Sequence, residues 1–326
     1  MKDIRFIIAI CLALFSSISL KSQTWETLAT QNECTARHEC TMTNVNDQLV
    51  LLGGRGLRPT EVFDIKTDTW ETFEEPPLEM NHLQAVNYKG DVYVIGSFTG
   101  GYPHETPIPN IYIFDMKSKK WNKDAEIPTD RLRGSAGVVV HNDKIYMICG
   151  IIDGHYDGHV AWFDEYDPIK KTWTKLPDAP HARDHFSGTI LDNKLYVAGG
   201  RRSSAKIGKV LELTEPAVDV FDFKTQTWST LPSELNIPTQ RAGSMAVSLK
   251  NSIVIIGGET SQLLAHNQVE SYNPKLKKWT TLAPLNMGRH GTGAALVKDK
   301  VYIVAGSKNR GGGPEINTIE VLQTKK

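Results

Sequence analysis

Four short stretches pair arginine with histidine or glycine: Arg37-His38, Arg183-Asp184-His185, Arg241-Ala242-Gly243 and Arg289-His290-Gly291. Arginine offers carboxylate, sulfate or phosphate a planar fork of donors. Imidazole beside a carboxylate moves protons near neutral pH. The chemistry on offer is anion binding with acid–base help, and Asp184, His185 and His290 are the candidates for proton transfer. These stretches are in register with something larger. Counting back twelve residues from the apolar runs that begin at Leu49, Val92, Ile145, Leu195, Ile253 and Val301 gives Arg37, Met80, Arg133, Arg183, Arg241 and Arg289.

The elements that position them repeat along the chain. Six of the seven tryptophans, all but Trp162, fall at 25, 70, 121, 173, 228 and 279, at intervals of 45, 51, 52, 55 and 51 residues. Five of these are preceded by Asp or Asn at a constant offset of six (Asp64, Asp115, Asp167, Asp222, Asn273), and an aromatic residue stands just before each: Phe63, Phe114, Tyr166, Phe221 and Tyr272. A constant offset means a hairpin of fixed register. Upstream of each, a β-branched or aromatic run such as Val92-Tyr93-Val94-Ile95 ends in a glycine pair or a variant of one, from Gly53-Gly54 to Ala305-Gly306. Glycine pair, aromatic-Asp and Trp together resemble the kelch repeat. That resemblance implies an all-β, six-bladed propeller with four antiparallel strands per blade. The expected blades are 35–75, 78–127, 130–179, 182–234, 239–285 and 287–326. Residues 23–28, around Trp25, would supply the outermost strand of the last blade and close the ring.

In such a blade the connections before the first strand and between the second and third share one face. All eleven arginines after residue 22 and nine of the ten histidines map to it. The second-to-third segments also vary in length, as binding loops on a constant scaffold do. The candidate ligand-binding residues are Arg37, His38, His82, Tyr102, His104, Arg133, His155, His159, Arg183, Arg201, Arg241, His266 and Arg289. The competing reading is structural: an arginine at the start of the first strand is common in kelch repeats and can hold neighbouring carbonyls. By fold and compartment the chain resembles the periplasmic sialic-acid mutarotases. This implies an acidic or sulfated sugar, or another anion, bound at the channel mouth, with mutarotation, epimerisation or elimination as the chemistry. The alternative is a non-catalytic module for a protein or glycan. His155 and His159 lie on no helix and give no metal signature, so neither a metal nor a cofactor is expected.

Residues 1–22 read as an export signal. Lys2 and Arg5 precede the apolar run Phe6–Phe15, and small polar residues follow. The run is short for a bilayer span, so the mature chain is expected to be periplasmic or secreted, without a membrane span. An oxidising compartment makes Cys34 and Cys40 a disulfide candidate, while Cys149 reads as a small buried residue. A formal net charge of zero argues against nucleic acid as a partner.

Overall fold

Six four-stranded antiparallel sheets surround a common axis, as the repeat predicts. The computed structural model describes residues 23–323. The expected export signal, residues 1–22, lies outside the described residues. In blade one the strands Cys40–Val45, Gln48–Gly53, Glu61–Asp64 and Thr69–Thr72 run in order from the axis to the rim. The innermost strands of blades two to six are Val86–Tyr88, Gly137–His141, Gly188–Leu191, Met245–Leu249 and Gly293–Val297. Consecutive innermost strands are neighbours around the axis, and the sixth adjoins the first. Thr24–Thr27 pairs with Ile319–Gln323, Trp25 facing Leu322, so the two ends of the chain share the last blade.

The repeated residues each hold one joint. Asp64, Asp115, Asp167, Asp222 and Asn273 accept hydrogen bonds from the backbone N–H groups two or three residues on, which fixes the outer hairpin turn. The tryptophans join blades. Trp173 Nε1 donates to Glu126 O at 3.0 Å, Trp228 Nε1 to Pro177 O at 2.8 Å and Trp279 Nε1 to Leu235 O at 2.9 Å, each in the preceding blade. Trp25 does the same from the closing strand, donating to Ala283 O at 2.9 Å. Apolar side chains fill the wedges between sheets. Between blades six and one, Met42, Leu51, Phe63 and Trp70 pack against Tyr302, Val304 and Val321.

The register arginines have a structural role. Arg37, Arg133, Arg183, Arg241 and Arg289 are each 0% exposed and lie inside the blades rather than around the opening. Each guanidinium donates to a carbonyl of its glycine pair (Gly53, Cys149, Gly199, Gly257, Ala305). Each also meets a buried carboxylate on its third strand: Glu61, Asp164, Asp219, Glu270 or Glu320. This corrects the expectation that these five arginines offer a ligand a cationic ring, because they are buried inside the blades and held there by carbonyls and carboxylates of the fold. Blade two has lost both partners together. Met80 replaces the arginine, Tyr112 stands where the carboxylate would be, and both join an apolar cluster. An ion pair has there been exchanged for packing, a swap that is often nearly neutral in energy.

The disulfide expectation is also corrected. Cys34 and Cys40 are free and buried. Cys34 donates to Asn317 O at 3.3 Å and Cys40 to Gly291 O at 3.6 Å, so the two thiols serve different neighbours. Burial pushes each up to about 12, as it does Cys149. Among the described residues no helix is long and apolar enough to cross a membrane.

Two outcomes follow from these arrangements. Glu270→Ala leaves the Arg241 charge buried without its partner and should cost about 3–5 kcal/mol in urea unfolding. Arg241→Met with Glu270→Tyr, copying blade two, should recover a large part of that loss. Alkylation and peptide mass mapping should find Cys34 and Cys40 unbridged, and slow to react until the protein is unfolded. A linked Cys34–Cys40 peptide would contradict this geometry.

Candidate functional site at the channel mouth

Two residues after each register position, the backbone turns left-handed in all six blades. Glu39, His82, Ser135, His185, Gly243 and Gly291 have φ of 55°, 52°, 52°, 55°, 62° and 54°. Four of the six carry side chains in a conformation that L-residues seldom adopt, which marks the ring as over-determined by its surroundings. The positions are tied together around the axis. His82 N donates to Glu39 O at 3.1 Å, Ser135 N to His82 O at 3.1 Å, Gly243 N to His185 O at 2.6 Å and Gly291 N to Gly243 O at 3.2 Å. In five blades a clasped arginine two residues earlier holds the chain that carries the residue; in blade two Met80 packed in the apolar cluster stands there, and His82 is left-handed all the same.

His82 and His185 thereby face one another across the mouth, and the blade-three loop brings in His155. The ring centroids stand 4.8 Å (His82–His185), 4.9 Å (His82–His155) and 4.6 Å (His155–His185) apart. Every Nδ1 has an oxygen partner: Asn81 Oδ1 at 2.6 Å for His82, Glu105 Oε1 at 2.9 Å for His155, and the Asp184 carboxylate for His185. The Nε2 atoms of His155 and His185 are 3.0 Å apart. Nε2 of His82 is buried and has no hydrogen-bond partner among the described residues. All three imidazoles are buried. The three could hold a metal ion, their ligand atoms lying within 4.8 Å of one another. Burial, helped by the neighbouring imidazoles and by Arg55 and Arg201, holds His82 and His185 well below the usual histidine range. Burial also raises Asp184, against the pull of Arg201 and Ser203.

Above the imidazoles opens a cavity of about 610 Å³, lined among others by Glu39, Arg55, Tyr102, Arg201, Leu211 and Glu259. Its charges come in pairs. Arg201 Nη1 meets Glu259 Oε1 at 2.6 Å, and Arg55 meets Glu105. Burial pushes Glu259 and Glu105 up, but His290 and Arg201 for the first, and His155 and Arg55 for the second, outweigh it and hold each carboxyl at about 2. Glu39 is different. Its oxygens stand 3.4 Å from His82 Nε2 and 3.6 Å from His290 Nδ1, and neither nitrogen has a hydrogen-bond partner among the described residues. Tyr102 is 60% exposed, and its ring lies 5.3 Å from that of His155.

The sequence-derived candidates divide accordingly. His82, Tyr102, His155, Asp184, His185 and Arg201 gather at or directly behind the mouth. His38 joins them at the rim, held by Glu315 at 2.6 Å. His290 is fully buried and bonds Asn309 O at 2.8 Å, so its Nε2 is engaged. His104 pairs with Asp153 at 3.0 Å on the exposed loop, and His266 is held by Gln268 at 3.0 Å. His159 lies in the hairpin strand Asp157–His159 and is outside the imidazole cluster, so the partners of His155 are His82 and His185. Glu39, Arg55, Glu105 and Glu259 were missed. A signal for Glu39 was present: it shares the position two after the register residue with His82 and His185. His82, His155 and His185 were each candidates, but nothing in their spacing along the chain marks them as one cluster.

Comparison with known proteins agrees with the fold. The family described as the KLHDC2/KLHL20/DRC7 Kelch-repeats domain matches residues 83–306. The kelch-like protein terF of Aspergillus terreus is 26% identical over 289 residues, covering 83% of this chain and 61% of that one. Kelch-like protein 38 of Rattus norvegicus is 25% identical over 281 residues, covering 85% of this chain and 45% of that one. Alpha-scruin of Limulus polyphemus is 26% identical over 255 residues, covering 72% of this chain and 26% of that one. The chain thus spans less than two thirds of the length of these curated relatives. The solved structure of YjhT superposes with a TM-score of 0.75 at 16% identity, covering 91% of this chain and 97% of that one, a likeness of fold. With six complete blades carrying the repeat's glycine pairs, aromatic-Asp turns and interblade tryptophans, the chain belongs to the kelch-repeat family.

Proposed function

We propose that this propeller binds a sugar in the cavity at its mouth. The observation that carries the reading is the lining of that cavity: an exposed aromatic ring beside alternating acceptors and donors, in a volume of about 610 Å³. Pockets of ~300–1,000 Å³ suit small ligands. The ring of Tyr102 is a platform for a pyranose face, while Glu39 and Glu259 accept from hydroxyls and Arg55 and Arg201 donate to them. The paired charges disfavour a general anion trap. A single acidic group on the sugar finds its place at Arg55, whose side chain is 23% exposed at the rim. Glu39, free of a hydrogen-bonding imidazole, is the group positioned to take a proton from a bound hydroxyl. Export to the periplasm or beyond, read from residues 1–22, is part of the same proposal.

The opening face supports a second reading, a docking surface for a protein. Among the described residues, six of the eight exposed large hydrophobic side chains (Leu57, Tyr102, Ile152, Ile207, Leu263 and Leu264) lie on its connecting segments. Kelch-like relatives make this reading natural, and it uses the rim rather than the cavity.

A thermal-shift screen of neutral, uronic, sialic and sulfated sugars separates the two, with NMR of the anomeric signals of any hit to detect turnover. At least one sugar should raise the melting temperature. Tyr102→Ala and Glu39→Gln should each weaken its binding about tenfold or more, since each removes roughly 1.4 kcal/mol or more of contact. If no sugar shifts the melting temperature, or both variants bind as the parent does, the sugar reading is wrong. A partner retained by the parent and lost on Leu263→Asp would then favour the docking surface.

A further inference from the structure

We propose that Nε2 of His82, His155 and His185 together bind one divalent transition-metal ion, of the zinc class, at the floor of the mouth cavity. The proposal stands apart from the sugar reading and rests on hydrogen-bond bookkeeping. Each Nδ1 faces an oxygen that can only accept. Glu105 receives His155 at 2.9 Å while also bonding Arg55 and the backbone N–H of His155. Asp184 receives His185 while its two oxygens accept from Ser203 Oγ at 2.6 Å and Ser203 N at 2.9 Å. Asn81 Oδ1 receives His82, and the orientation of that amide is set because Asn81 Nδ2 donates to Glu79 Oε1 at 2.6 Å. In the neutral form the hydrogen of each imidazole is therefore on Nδ1, and each Nε2 then presents a lone pair.

Three such lone pairs belong to one buried cluster, with a ligand nitrogen of each ring within 4.8 Å of the others. Those of His155 and His185 meet at 3.0 Å, and that of His82 finds no hydrogen. A hydrogen bond between these two Nε2 atoms would require one imidazole either to abandon its carboxylate or to carry a second proton inside the cluster. A cation between them satisfies all three at once. Two ligands of a tetrahedral ion with ~2.0–2.1 Å bonds stand about 3.3 Å apart, close to the observed spacing of the nearest pair. The cluster spans 4.8 Å at most, so closing around an ion needs only side-chain adjustment. Three imidazole nitrogens with one open position suit zinc and its first-row neighbours. Carboxylate, carboxylate and amide partners behind the ligands are the outer shell that such sites use to fix the ring and the tautomer. The open position faces the cavity, where Glu39 Oε2 lies 3.4 Å from His82 Nε2.

The test uses the whole protein, stripped with chelator and dialysed, and contains no sugar. Calorimetric titration with zinc chloride should give one equivalent per chain. Cobalt(II) should give the intense visible bands of a four-coordinate ion. Glu105→Gln should weaken zinc binding by about 10- to 100-fold, and His155→Gln or His185→Gln should weaken it further. His104→Gln, on the exposed loop, should bind as the parent does. Circular dichroism checks that each variant is folded. Absence of one-to-one binding, an octahedral cobalt spectrum in the parent, or undiminished binding by folded His155→Gln would each overturn the site. The sugar screen repeated in chelator keeps the two proposals separable: sugar binding that persists without metal uptake removes only this one.

Discussion

The buried arginine clasp is the interaction on which the rest of the architecture depends. In five blades a guanidinium at 0% exposure ties the chain entering the innermost strand to a carbonyl of the glycine pair and to a carboxylate on the third strand. Desolvating such a charge is expensive, and only a near-complete set of partners offsets the cost. The glycine pair belongs to the same device. Gly199 and Gly200 have φ of 74° and 94°, and a Cβ on Gly200 would meet Asp184 O at 2.9 Å. A positive φ and a close backbone approach both demand glycine there.

In five blades the clasp anchors the chain at the register residue, in blade two the packing of Met80 stands in its place, and two residues later the chain is left-handed around the whole mouth. That is an uncommon place for histidine or glutamate, and it aims their side chains at a common centre. The blade-three loop adds a third imidazole, positioned by a carboxylate from the blade-two loop: Glu105 accepts from both the ring and the backbone of His155. The site is thus shared by a rigid ring and two loops that brace each other. Its groups are buried, and burial, with the neighbouring imidazoles and the cations of Arg55 and Arg201 adding to it, holds His82 and His185 well below the usual histidine range beneath the open cavity.

Much of this was legible in order of sequence. The tryptophan spacing, the aromatic-Asp offset and the glycine pairs each correspond to a joint with a physical purpose. The joints are interblade indole hydrogen bonds, capped outer turns and left-handed exits. Closure through Trp25 was readable because its strand partner at 319–323 lacked a tryptophan of its own. The periodicity of the register arginines left their role open between two readings, because a guanidinium lining an opening and one buried against carbonyls leave the same periodic mark. What separates them is the acidic residue two before the aromatic (Glu61, Asp164, Asp219, Glu270), absent in blade two along with its arginine. That covariation within one chain was visible, and it points to the clasp.

The sequence alone determined the fold class, the number of blades and the face on which arginine and histidine gather. These follow from short-range periodicity, since each repeat encodes its own hairpins and its own contact with the next. Only the tertiary structure decided which of those residues face one another. His82, His155 and His185 lie in three different blades or loops, and Glu105 reaches His155 across 50 residues. Proximity around a ring depends on the radius and rotation that six packed wedges adopt together, a property that no single repeat carries.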